Sequence, residues 1–260
     1  MISVISIAVF TLGTIVASFV GLVVARLYTG ASIVRGRSQC DACSQTLDVL
    51  ALIPVISFFA TRGRARCCGA RVSAVSTIAE IALGTLYVLA YVKIGLTLPL
   101  GLFLIVLAAL LALVLYDLAH TILPPIFLGI FLCAALAFAL TQVVDWKTFG
   151  IEVLIAGSIG LFIALLHFGS KGRAMGLADA PLAFGLGLLV GPHAFSGLVF
   201  SFWIGALIGI TLLVRAPKGA RMGIEVPFAP FLAAGFLLAY FTEWNPFTLI
   251  SDLLLRLFGV

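Results

Sequence analysis

The chain has 260 residues, of which 63% are hydrophobic and only 10% charged, with a mean hydropathy of +1.29. That composition excludes a soluble globular domain and leaves a polytopic membrane protein. A net charge of +5 would suit nucleic acid or anionic lipid, but the basic residues cluster: seven lie between Arg26 and Arg71, two at Lys171 and Arg173, and three at Arg215, Lys218 and Arg221. With the N-terminus outside, all three clusters are cytoplasmic, as the positive-inside bias expects, so the charge reads as topology and no nucleic-acid partner is expected.

Apolar positions run continuously instead of alternating, which predicts helices and not barrel strands. The expected fold is all-α, with about eight transmembrane helices at residues 3–25, 76–95, 97–117, 123–143, 149–168, 180–192, 195–214 and 226–242. The first segment lacks a basic start and is long for a signal core, so it reads as a span. Four parts follow: a first helix over 1–25, a cytoplasmic cysteine-containing loop domain over 26–75, a membrane domain over 76–243, and a tail over 244–260. In the tail, Ile250, Leu253, Leu254, Leu257 and Phe258 recur at a spacing suited to a helix on the outer interface.

The loop holds Cys40, Cys43, Cys67 and Cys68. A cytoplasmic setting disfavours disulfides, and Cys40-x-x-Cys43 has the spacing of a zinc knuckle. Ala65 stands where a second C-x-x-C would begin, and adjacent side chains usually diverge, so one of the vicinal pair Cys67 and Cys68 is expected to complete the site. Free thiols are the alternative. Cys133, inside an apolar span, reads as a small core residue.

Residues 180–214 are interrupted by Gly191-Pro192 and cannot supply two full spans of about 20 residues each plus a turn, so one helix is expected to be short. If it is the first, Asp179 at its start is drawn below the membrane surface. Asp117 ends an inward-running helix, which brings both acids to the same level. A carboxylate at membrane depth costs about 2.5–3.5 kcal/mol on insertion scales, which makes each a functional candidate. Two carboxylates sharing a site hold one proton between them, the state that activates water and protonates a leaving amine. Asp179, followed by Pro181, also suits a plain helix N-cap. Asp117, in the last turn of its helix, opposes the macrodipole, and chance exposure at the interface is its alternative.

Around the two acids, Asp117-Leu-Ala-His-Thr-Ile-Leu-Pro124 and Gly176-Leu-Ala-Asp179 resemble the D-x-x-x-x-I-L/I-P and G-x-G-D motifs of type IV prepilin peptidases, which are intramembrane aspartyl proteases. Ala178 replaces the second glycine, and Pro181 the usual lysine. The resemblance covers nearly the whole chain. Ser18-Phe19 with Arg26-Leu27, Arg37-Ser38-Gln-Cys40, Leu52-Ile53-Pro54, Cys68-Gly69, Glu80 and Pro227-Phe-Ala-Pro230 follow in family order, with Gly21 in place of an asparagine.

The resemblance implies that Asp117 and Asp179 are a catalytic dyad that removes the leader of type IV prepilins or pseudopilins at the cytoplasmic face of the bacterial inner membrane. Their leaders would be short, basic and end in glycine. It also implies N-methylation of the new N-terminus with S-adenosyl-L-methionine. Glu80 is either a cofactor-side residue in that transfer or an acid complementing its helix dipole. The cofactors expected are thus structural zinc and S-adenosyl-L-methionine, and the partners are prepilin-like substrates and the lipid bilayer. Two other readings are an ion- or proton-coupled transporter, against which the acids cluster on one side, and a peptidase without methyltransferase activity.

Overall fold

The computed structural model describes residues 3–29, 32, 38–40, 42–173, 175–215, 226–246 and 248. The tail positions Ile250, Leu253, Leu254, Leu257 and Phe258 lie outside the described residues, as do Arg37, Lys218 and Arg221. Among the described residues the structure is helical, without strands beyond two isolated antiparallel bridges.

Two compact units divide the chain, Met1–Ala112 and Leu113–Val260. In the first, α1 (Val4–Arg26) packs along α3 (Ala74–Ile94), with the short α2 (Ile56–Ala60) in the cysteine-bearing loop between them. Ser3 and Ser73 cap the two long helices, each side-chain oxygen accepting a backbone N–H of the first turn. The two helices approach at Gly13 and Gly84, where a Cβ on Gly13 would sit 2.7 Å from the Gly84 Cα. Only glycine admits such an approach. The part of α4 (Leu98–His120) up to Ala112 completes this unit, and the Tyr87 hydroxyl donates to the Leu104 carbonyl at 3.0 Å.

The second unit is built around α7 (Asp179–Val190), which touches α5 (Pro125–Thr141), α6 (Trp146–Gly169), α8 (Ala194–Arg215) and α9 (Ala229–Thr242). Ten of the 12 residues of α7 are buried, which is the signature of a helix apolar on every side and surrounded by others. It stops at Gly191, whose φ of +59° few other residues adopt, and a 3₁₀ turn through His193 leads into α8. The first helix of the Gly191-Pro192 pair is therefore the short one.

Each of the eight expected segments coincides with an apolar helix. Five helical stretches, counting 179–212 as one, have the length and hydropathy of a membrane span, while α5 and α9 are shorter, at 17 and 14 residues. A count of eight spans is therefore not reached by length. Large apolar side chains face outward along the long helices, among them Ile78 (64% exposed) and Leu154 (73%), the inverse of a soluble surface and the arrangement lipid favours.

Candidate active sites

In the second unit, Asp117 and Asp179 line one cavity of about 1070 Å³. They are only 5% and 6% exposed, and they lie within electrostatic range of one another. Interface exposure is thus excluded for Asp117. Its Oδ2 accepts the backbone N–H of Ala229 at 3.1 Å, the first residue of α9. The carboxylate that opposes the dipole of its own helix therefore complements that of another, 112 residues away. Pro230 follows directly and carries no N–H, so the Ala229 donor is the one offered at this helix start. Sequence reasoning had noted Pro227-Phe-Ala-Pro230 without a role for it.

Asp179 is not an N-cap. Ala178 holds that position with no side-chain cap, and Asp179 is the first helical residue. Its Oδ2 turns back to accept the Gly176 N–H at 3.0 Å, while its own N–H donates to the Gly176 carbonyl at 3.2 Å. Ala178 has φ −69° and ψ −15°, ordinary right-handed backbone, so the absence of a second glycine costs nothing here. Pro181 sits in the first turn of α7, where a missing N–H leaves no helical bond unmade. The cavity is also lined by Phe202, Phe228 and Phe231, by the small residues Gly205 and Gly209 on α8, and by Lys171 and Arg173, which bring positive charge to it.

In the first unit, the four loop sulfurs all lie within 4.8 Å of one another. Cys40 and Cys68 sulfurs are 3.8 Å apart, Cys43 and Cys67 3.4 Å, and Cys67 and Cys68 3.9 Å. Four thiolates around zinc at about 2.3 Å would be separated by about 3.8 Å, so the donor set fits that ion. Both vicinal cysteines face the cluster, not one.

The backbone explains how. Residues 39–40 with 42–46, and residues 64–71, are twin hairpins: Gln39 bridges Thr46 and Arg64 bridges Arg71. The Cys40 N–H donates to the Gln45 carbonyl as that of Ala65 does to Ala70, and Ser44 donates to Cys40 as Gly69 does to Ala65. Ser44 and Gly69 both have positive φ. In this register Ala65 is the twin of Cys40 and Cys68 the twin of Cys43. The missing thiol comes instead from Cys67, the twin of Ala42.

Backbone N–H groups of Ala42 and then Cys43 hold the Cys40 thiol down at about 7, whereas hydrogen bonding with Cys43 and then Cys40 pushes Cys67 up to about 12. Sulfurs this close cannot all ionise without a cation among them.

Glu80, in the second turn of α3, is 7% exposed, and its Oε2 accepts the Val55 N–H at 2.8 Å. Val55 has φ +61° and ψ −54°, and Ile56 N–H donates to the Pro54 carbonyl across it at 2.6 Å. This is the rare, strained hand of γ-turn, on a β-branched residue. Glu80 is thus tied to a turn of the loop instead of to the start of its own helix. It lines a cavity of about 480 Å³ together with Asp48, Ser57, Thr61, Arg64 and Arg66.

Residues 11–94, which include this loop, match the Bacterial Peptidase A24 N-terminal domain family. The chain is 31% identical to a "Prepilin leader peptidase/N-methyltransferase" of Bacillus subtilis over 89% of its own length and 92% of that protein. The chain belongs to the prepilin leader peptidase/N-methyltransferase family. Proteins of the same name from Myxococcus xanthus (31% identical, 80% of this chain and 63% of that one) and Burkholderia pseudomallei (33%, 76% and 65%) are also similar. No solved structure matches. Family membership and the membrane-length helices together make this a multi-pass membrane protein. His167, to which no sequence motif gives a role, lies within electrostatic range of Asp179.

Proposed function

We propose that the chain is an inner-membrane aspartyl endopeptidase that removes the leader of type IV prepilins or secretion pseudopilins, with Asp117 and Asp179 as its dyad. The observation that carries this is the meeting of two nearly buried carboxylates in one cavity, each held by a backbone N–H of a different segment. One carboxylate, ionised, takes a proton from water as it attacks the scissile carbonyl; the other, protonated, gives its proton to the leaving amine. The products are the leader's new carboxylate and the mature chain's new amine. An apolar wall of Phe202, Phe228 and Phe231 suits a substrate whose mature part begins with an apolar helix.

The second activity, N-methylation of that amine, belongs to the first unit. Its cavity is of small-ligand size, with Asp48 and Glu80 suited to the ammonium and hydroxyl groups of S-adenosyl-L-methionine and Arg64 and Arg66 to its carboxylate. When bound, that cofactor supplies an electrophilic methyl group. Zinc held by Cys40, Cys43, Cys67 and Cys68 would tie the two hairpins together beside it. A transporter would need acids distributed along a path, and Asp117 and Asp179 instead converge on one cavity.

Cleavage of a prepilin-like substrate in membranes tests the reading. Asp117→Asn and Asp179→Asn should each abolish cleavage and leave methylation of a pre-trimmed substrate. Retained cleavage in either would remove the dyad.

A further inference from the structure

The imidazole of His167, near the end of α6, has its Nδ1 2.8 Å from the Met175 carbonyl oxygen. A carbonyl oxygen only accepts, so Nδ1 carries the proton and donates. The N–H on the other side of that same peptide group is that of Gly176, and it donates to Asp179 Oδ2 at 3.0 Å. One peptide plane therefore has an imidazole on its oxygen and a carboxylate on its hydrogen. Donation to a carbonyl polarises the peptide and strengthens what its N–H gives, and it fixes the rotation of the plane.

The surrounding chain makes this arrangement specific. Gly172, at φ +77°, donates its N–H to the His167 carbonyl at 2.8 Å and turns the chain back over the ring. A Cβ on Gly172 would lie 3.3 Å from the ring's Cε1, so the loop closes tightly on the imidazole. Met175 is itself buried, at 8% exposure.

We infer that His167 is a positioning residue for the peptidase: through the Met175–Gly176 peptide it sets the orientation of the Asp179 carboxylate. The inference rests on the dyad reading above. Beside its through-space electrostatic interaction with Asp179, the ring is joined to that carboxylate by hydrogen bonds through the peptide, and it is this link that the inference concerns.

The test compares steady-state cleavage of a prepilin-like substrate by native enzyme, Asp179→Asn, His167→Leu and His167→Asn in membranes. Asparagine places an N–H at the branch position of Nδ1, while leucine fills the space without a donor. His167→Leu should lower kcat by about tenfold with KM little changed, the mark of an interaction that matters in the transition state and not in substrate binding. His167→Asn should recover most of that loss.

Equal losses in the leucine and asparagine variants, or a loss confined to KM, would overturn the inference and make the ring a packing element. Full activity in His167→Leu with none in Asp179→Asn would likewise overturn it and leave the dyad standing. Activity in Asp179→Asn would remove the dyad reading itself.

Discussion

Removal of the Cys67 thiol tests whether the displaced cysteine substitutes for the one missing at position 65. In the twin-hairpin register, Ala65 occupies the backbone position that Cys40 holds in the first hairpin, with the same pair of hydrogen bonds around it. A thiol placed at 65 should reach the cluster as that of Cys40 does, and Cys67 should then be dispensable. The sulfur separations of 3.4, 3.8 and 3.9 Å bracket the edge of about 3.8 Å that a zinc tetrathiolate requires, so all four are placed to serve as ligands. Structural zinc sites bind with about 10–16 kcal/mol over four ligands, so loss of one ligand weakens binding by about 60- to 700-fold. Zinc competition against a chromophoric chelator, on purified protein, measures this. Cys67→Ala and Cys68→Ala should lose affinity to similar extents, the double variant Ala65→Cys/Cys67→Ala should regain it, and Cys133→Ser should bind as the native protein does. Native affinity in Cys67→Ala, with loss only in Cys68→Ala, would refute the shared-ligand geometry.

Zinc affinity should also rise with pH. Cys67 and Cys68 are both held above the ordinary thiol value, so each must lose a proton on binding, and each adds about tenfold per pH unit. A zinc titration between about pH 7 and pH 8.5 reads the combined slope, at least about 100-fold per unit, and the affinity falls as steeply on acidification. Asp117→Asn and Asp179→Asn each keep a carbonyl acceptor for their backbone N–H, so thermal stability should move by no more than about 1 kcal/mol. Glu80→Ala leaves the part-buried Val55 N–H without its acceptor and should destabilise the first unit by about 1–2 kcal/mol, whereas Val55→Gly, which relieves the positive φ, should leave stability equal or higher; denaturation in detergent compares them. Gly84→Val should separate α1 from α3 and lower the melting temperature, while substitution at Gly21, with open space around it, should not.

The positions of the helices follow from composition alone, because in lipid a continuous apolar run has no alternative to satisfying its backbone internally. Gly191-Pro192 likewise fixes the shortness of α7 locally, through backbone that other residues rarely adopt. Asp117, Asp179 and the four cysteines stood out for the same reason: charge and thiol are rare in this chain, and rarity is visible without a fold. What the sequence left open were partners made by distant segments. The N-cap reading of Asp179 failed because its carboxylate turned to Gly176, and nothing in residues 176–181 favours one acceptor role over the other.

By itself, then, the sequence determined an all-helical membrane chain, the family resemblance and the rare polar residues that bear chemistry. Only the tertiary structure decided what each polar group is held by. Asp117 meets the start of α9 across 112 residues, Glu80 holds a strained turn at Val55, and Cys67 replaces a thiol absent from position 65. Each of these contacts satisfies a buried or crowded polar group by a backbone N–H or a neighbour remote in sequence. Periodicity and spacing report only on neighbours close along the chain, so such pairings come into being when the helices pack.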